Sequence, residues 1–158
     1  MSGPEIVVAP VRRDDPAVLA LYAPFARESG AGLPETVAET EAEAAAGPPS
    51  DLVPPAGAML LIRVDGEPAA IGGVRHLDTP VAEVKSMYVS PAHRGLGLGR
   101  RILGELHALA RAAGCRAVRL DTNGFLAAAV ALYRAGGYRE VRDYNGNAKA
   151  DLWFEREL

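Results

Sequence analysis

The chain has 158 residues, 49% of them apolar and 23% charged, a composition suited to one globular domain with a core of its own. Its 17 basic and 20 acidic residues leave a net charge of -3, which excludes a basic nucleic-acid coat and a disordered acidic tail. Residues 1–57 carry three basic and nine acidic side chains and residues 58–158 carry 14 and 11, so an anion site is expected in the second part.

Ile6 to Val11 is a β-branched run that reads as a strand, and Asp14-Asp15-Pro16 then opens a helix over Ala17 to Glu28. From Ser29 to Gly57 the composition shifts to Gly, Pro, Ala and Glu, with a helix expected over Glu35 to Ala46. This stretch reads as a mobile insert on the substrate side, a flap or a plain linker. Its acidic patch, Glu35, Glu39, Glu41 and Glu43, either attracts cationic substrates or solvates a helix face. Met59 to Val64 and Ala69 to Leu77 flank Asp65-Gly66, a hairpin signal. Glu83 to Val89 is the next strand, with Val84, Ser86 and Tyr88 expected on one face and Glu83, Lys85, Met87 and Val89 on the other.

After Pro91 and a glycine-rich turn, Leu98, Ile102, Leu106, Leu109 and Ala113 recur at helical steps, and Gly114 ends the helix. Arg116 to Thr122 reads as a strand, Leu126 to Ala135 as a helix, and Tyr138 to Val141 and Lys149 to Glu155 as the last strands. The class is therefore mixed α/β, one domain over residues 1–158. Cys115 stands alone, so no disulfide forms, and no leader-like or membrane-spanning run is seen; a reducing, cytoplasmic setting without membrane or nucleic-acid partners is expected. His76, His93 and His107 stand far apart, and no metal is expected.

The most informative stretch is Val89-Ser90-Pro91-Ala92-His93-Arg94-Gly95-Leu96-Gly97-Leu98-Gly99-Arg100-Arg101. A strand feeds a turn with alternate glycines, and a helix starts there, so unpaired backbone N–H groups meet the positive end of the helix dipole. Phosphate is the natural ligand. Between His93 and Arg119 stand six arginines and one acid, Glu105, in keeping with several phosphates. The glycines fit neither the Walker loop, which needs Gly-Lys-Ser/Thr, nor the dinucleotide fingerprint, whose third glycine falls one place later.

Arg94-x-x-Gly97-x-Gly99 after a strand resembles the pyrophosphate signature of the GNAT superfamily of acetyl-CoA-dependent N-acetyltransferases. Ala129-x-x-Leu132-Tyr133-Arg134-x-Gly136-Gly137-Tyr138 is similar to that family's downstream helix. The resemblance implies a mostly antiparallel sheet of about seven strands, about four flanking helices and a splayed central strand pair. It implies that Arg94, Gly95, Gly97, Gly99 and Arg100 wrap the coenzyme A pyrophosphate and that backbone groups of Met87 and Val89 pair with the pantetheine arm. Tyr133 matches the tyrosine that faces the coenzyme sulfur, where a phenol can protonate the departing thiolate.

Glu83 falls at the strand position of a general-base glutamate in one branch of the family; otherwise it pairs with Arg75 or Lys85. Lys85 could instead bind a substrate carboxylate. The resemblance departs at Leu126, where many members carry an amide, and Asn123 is the residue that could take over. Tyr144-Asn145-Gly146-Asn147 suits acceptor recognition and an ordinary turn equally. The expected function is transfer of acetyl from acetyl-CoA to a primary amine of a small molecule or protein, by direct attack, with a small-molecule or peptide amine as partner. A non-catalytic acyl-CoA-binding module acting on a partner protein is the alternative, and a homodimer is left open.

Overall fold

The computed structural model describes residues 2–77 and 80–158. Seven strands form one sheet in the order β1-β2-β3-β4-β5-β7-β6: β1 Ile6–Val11, β2 Gly57–Val64, β3 Glu67–His76, β4 Val81–Val89, β5 Ala117–Thr122, β6 Arg139–Val141 and β7 Leu152–Glu157. All neighbours are antiparallel except β4 and β5. Four α-helices flank it: α1 Pro16–Gly30, α2 Val37–Ala46, α3 Leu98–Ala112 and α4 Ala127–Ala135. The architecture is the splayed seven-stranded sheet with four helices that the sequence motifs imply.

Two cores lie on opposite faces of the sheet. Ile102, Leu106 and Ala110 of α3 and Tyr133 of α4 pack with Leu60, Val84, Val118 and Phe154. Val18, Leu21 and Tyr22 of α1 and Ala44 of α2 pack with Met59, Leu61, Ile71 and Tyr88. Gly72 and Gly73 make this double packing possible: a Cβ on Gly72 would come within 3.0 Å of Leu106, and one on Gly73 within 2.7 Å of Leu52.

The helix starts follow from local chemistry. Asp15 accepts from the Ala17 N–H with Pro16 in the first turn. Thr36 and Glu39 form a reciprocal capping box on α2, which uses Glu39 locally. The 29–57 segment is tied to the body by Leu52, 1% exposed, and by Arg13, whose guanidinium donates to the Pro48 carbonyl at 2.6 and 2.8 Å.

Three details differ from the sequence expectations. In α3 the buried face is Leu98, Ile102, Leu103, Leu106, His107 and Ala110, while Leu109 and Ala113 are exposed, because the helix leans on the sheet through a stripe displaced from the one counted. The last strand begins at Leu152, since Asn147 and Asn145 close turns over the preceding residues. The strict alternation expected in β4 also fails. Between the pairs Ile71↔Tyr88 and Gly73↔Lys85, β4 holds one residue more than β3, and Ser86 takes a positive φ of 57°. Ala82 and Val84 face the α3 core before this bulge and Met87 and Val89 face it afterwards, while Tyr88 turns to α1.

His107 is buried. Its Nε2 lies 2.6 Å from the Tyr138 hydroxyl, and burial, then Arg156 and Arg111, lowers its pKa to about 4. Cys115 is buried and its thiol is pushed up by desolvation. Among the described residues no group of three or more His, Cys, Asp and Glu could hold a metal, and no helix is long and apolar enough to cross a membrane.

Candidate active site

Parallel pairing of β4 with β5 covers only Val81↔Ala117, Ala82↔Val118 and Glu83↔Arg119. Beyond this β5 pairs only with β7, and the β4 bulge carries Ser86 and Met87 away from it. The sheet therefore opens. A cleft of about 260 Å³ fills the gap, lined by Lys85, Ser86, Met87, Asp121, Thr122, Asn123 and Tyr133 among others. Its far wall comes from Tyr22 and Phe25 of α1, from Leu33, Glu35 and Glu43, and from Asn147 and Lys149 of the β6–β7 loop.

Downstream of the bulge β4 runs into a short 3₁₀ turn, Pro91–His93, and then the glycine turn. Gly95 and Gly97 have φ of 86° and 72°, a region that side chains with a Cβ rarely adopt, and the space where a Cβ would stand is open at both. Gly97 caps α3 with no side-chain bond, so the first N–H groups of the helix are left to a ligand. Gly99 has a different reason to lack a side chain: its Cβ would lie 3.1 Å from Leu132 of α4. Arg94 is exposed, stacked over the Tyr88 ring at 5.8 Å and bonded to the Val89 carbonyl at 3.2 Å. Arg100 is exposed in the first turn of α3.

Tyr133 is held edge-on by Tyr138 at 5.8 Å and tilted against Phe154 at 6.3 Å, so the ring has little freedom. Burial, and then the charge of Asp121, pushes its phenol up to about 12, which keeps it a proton donor at neutral pH. Asn123, at the end of β5, is 8% exposed and lines the same cleft together with Leu126.

Glu83 is fully buried, not an exposed strand residue. Its Oε1 takes bonds from Arg75 at 2.8 and 2.9 Å and has Lys85 Nζ at 3.6 Å; its Oε2 accepts from the Tyr144 hydroxyl at 2.5 Å and from Asn145 Nδ2 at 3.2 Å. Lys85 in turn lies 2.9 Å from Asp121, and Asn145 donates to the same carboxylate at 2.6 Å. Burial opposes the charge of Asp121, but Lys85 and the bond from Asn145 outweigh it and hold the carboxyl below its usual range. The Tyr144 phenol is raised by its burial and by the Glu83 carboxylate, so it stays protonated.

The structure thus brings Met87, Asn123 and Tyr133 onto one cleft and sets Arg94, Gly95, Gly97, Gly99 and Arg100 along the turn beyond Val89. Glu83 sits behind it in a charged network whose Arg75 and Lys85 reach the cleft wall. Tyr144, Asn145 and Asp121 join this network without a decisive signal in the sequence; the polar, aromatic Tyr144-Asn145-Gly146-Asn147 run hinted at the first two, and nothing hinted at Asp121.

The acetyltransferase (GNAT) family model matches residues 16–138. The chain belongs to the GNAT family. As a GNAT member it is an acyl-CoA N-acyltransferase. One relative, the "IAA acetyltransferase" of Azospirillum brasilense, is 37% identical over 103 residues, which are 63% of this chain and 67% of that protein. A Klebsiella pneumoniae structure described as an acyl-CoA N-acyltransferase superposes with a TM-score of 0.77 at 27% identity, covering 97% of each chain. The PaiA N-acetyltransferase of Thermoplasma acidophilum, solved with coenzyme A, has a TM-score of 0.77 at 16% identity over 98% of this chain and 99% of that one, a likeness of fold.

Proposed function

We propose that the chain transfers acetyl from acetyl-CoA to a primary amine of a small molecule or peptide held in the cleft between β4 and β5. The observation that carries this reading is the three-position pairing of those strands followed by the bulge at Ser86, beside a cleft lined by Met87, Asn123 and Tyr133.

Acetyl-CoA supplies an activated thioester; the residues of this chain bind, orient and move protons. Open space over Gly95 and Gly97 and the uncapped start of α3 suit a pyrophosphate, with Arg94, Arg100 and the Gly99 N–H as further donors. Strand backbone at Met87 and Val89 pairs with the pantetheine amides, and Asn123 bonds the same arm, a reading supported by its position on the cleft wall. Tyr133, protonated because it is buried, gives its proton to the departing thiolate.

An amine arrives as ammonium with a pKa of about 10 and must lose a proton before attack. Glu83 takes that proton indirectly, through Lys85 on the cleft wall, since its own oxygens already accept from Arg75, Tyr144 and Asn145. The 29–57 segment moves as the acceptor enters, and the setting is cytoplasmic. The test is a screen of amines with acetyl-CoA that follows release of free thiol. Amine-dependent release supports the reading; tight acetyl-CoA binding with no release for any amine would replace it with the regulatory binder.

A further inference from the structure

The proposed chemistry leaves one buried titratable group without a role. His107, on α3, is 3% exposed, and both of its ring nitrogens have partners. Arg156 of β7 places Nη1 3.3 Å from Nδ1, and the same nitrogen donates to the Gly136 carbonyl at the end of α4 at 2.8 Å. A guanidinium can only donate, so Nδ1 is the bare nitrogen and Nε2 carries the proton. Nε2 therefore donates to the Tyr138 hydroxyl oxygen, 2.6 Å away. The imidazole is neutral in this arrangement, in keeping with a pKa lowered to about 4.

Tyr138 is the residue against which Tyr133 rests. The two rings meet edge-on at 5.8 Å, and the Tyr138 N–H donates to the Tyr133 carbonyl at 3.1 Å where α4 ends. The Tyr133 hydroxyl has no tether of its own: Asp121 acts on it through charge, and no hydrogen bond from a described residue holds it. Ring packing against Tyr138 and Phe154 thus decides where its proton stands, and the Tyr138 ring is itself fixed at its hydroxyl end by His107. His107 also belongs to the helix whose first turn is proposed to hold the pyrophosphate. Coenzyme and proton donor are then both referred to α3, the first directly and the second across the His107–Tyr138 bond.

We propose that His107 is a positioning residue for acetyl transfer: by its hydrogen bond to Tyr138 it fixes the ring that packs on Tyr133, and so aims the Tyr133 hydroxyl at the coenzyme sulfur. This rests on the acetyl-transfer reading, in which Tyr133 protonates the departing thiolate. A misplacement of about 1 Å caused far from the chemistry can cost on the order of 10²-fold in rate, so a ring loosened at one end is enough to be felt.

The experiment compares Tyr138→Phe, which keeps the ring and deletes the accepting oxygen, with His107→Leu and with His107→Gln, which retains a donor. With an amine that the thiol-release screen identifies, kcat should fall about tenfold in Tyr138→Phe and His107→Leu, acetyl-CoA Kd and amine KM should hold, and His107→Gln should recover most of the loss. In a Tyr133→Phe background the same substitutions should change kcat by less than about twofold, because no hydroxyl is left to aim. A merely structural role would lower the rate alike in both backgrounds. Independently of turnover, NMR of protein carrying isotope-labelled tyrosine rings and saturated with coenzyme A should show the Tyr133 signal shifted or broadened in Tyr138→Phe and in His107→Leu. Either variant decides this arm if the other fails to fold. Equal losses in both backgrounds, an unchanged kcat, or a Tyr133 signal identical to wild type overturns the proposal. Absence of amine-dependent thiol release by the wild-type protein, or a wild-type rate for Tyr133→Phe, would instead overturn the acetyl-transfer reading, and the NMR arm would still judge whether His107 holds Tyr133 in place.

Discussion

The glycine turn and the proposed acceptor end of the cleft are assembled in opposite ways. The turn is one continuous stretch, from the end of β4 at Val89 to Arg100 in the first turn of α3, and it works mainly through backbone. The acceptor end draws side chains from α1, the 29–57 segment, β3, β4, β5 and the β6–β7 loop, and its key contacts join residues as far apart as Glu43 and Lys149. Backbone recognition at a helix start tolerates change in most side chains around it, provided the glycines stay. A side-chain network tolerates little, since each member leaves a buried charge behind when removed. The donor end should therefore break at single glycines and in binding, the acceptor end at single charges and in turnover.

The largest expected effect is at the turn. Gly97→Asp puts a Cβ and a negative charge at a positive-φ position of the proposed pyrophosphate site, and acetyl-CoA binding should vanish in calorimetry while the circular-dichroism spectrum is retained. Unchanged affinity in the folded variant would remove the pyrophosphate assignment.

Glu83→Gln comes next. Turnover should fall by about 10²–10⁴ with acetyl-CoA affinity unaltered. The variant also neutralises a buried partner of Arg75, so a chemical-denaturation midpoint is measured beside the rate; loss of a buried partner costs about 3–5 kcal/mol. Full activity between about pH 7 and 9, the range in which the amine begins to lose its proton, would leave Glu83 as an anchor only.

Tyr133→Phe keeps the ring packed edge-on to Tyr138 and tilted against Phe154 and removes the hydroxyl, so the chemical step should slow by about 10² with little change in coenzyme affinity. The pH profile carries a sign. Because the phenol is raised to about 12, it stays protonated through the alkaline range, and the wild-type rate should rise with deprotonation of the amine and show no fall from Tyr133 below about pH 11. A wild-type rate for Tyr133→Phe when chemistry limits turnover would return it to the core.

The smallest effect is Tyr144→Phe, which takes one of the donors from Glu83 Oε2 and leaves Asn145 in place. We expect a stability loss of about 1 kcal/mol and a higher KM for the amine, with acetyl-CoA affinity untouched. A change in acetyl-CoA affinity would mean that the two ends of the cleft are coupled.

Local chemistry in the chain was enough for the turn and for the order of strands and helices, because each depends on neighbours in sequence: glycine spacing, alternation, helical steps and capping residues. Tyr133 stood out only through the resemblance of its helix to the GNAT pattern. Local chemistry did not reach the face switch in β4. That switch comes from one surplus residue measured against β3, and a strand read alone has no partner against which a surplus shows. Nor did it reach the state of Glu83. Arg75 and Lys85 were visible as candidate partners, but full burial and the bonds from Tyr144 and Asn145 depend on the β6–β7 loop folding back across more than sixty residues. The acidic patch makes the same point at finer grain. Four glutamates of one composition become a helix cap, a solvent ion pair and a pair of cleft carboxylates, and their separate fates follow from which surfaces α2 and Lys149 happen to face in three dimensions. Backbone propensity is written locally; desolvation is a property of everything packed around a group.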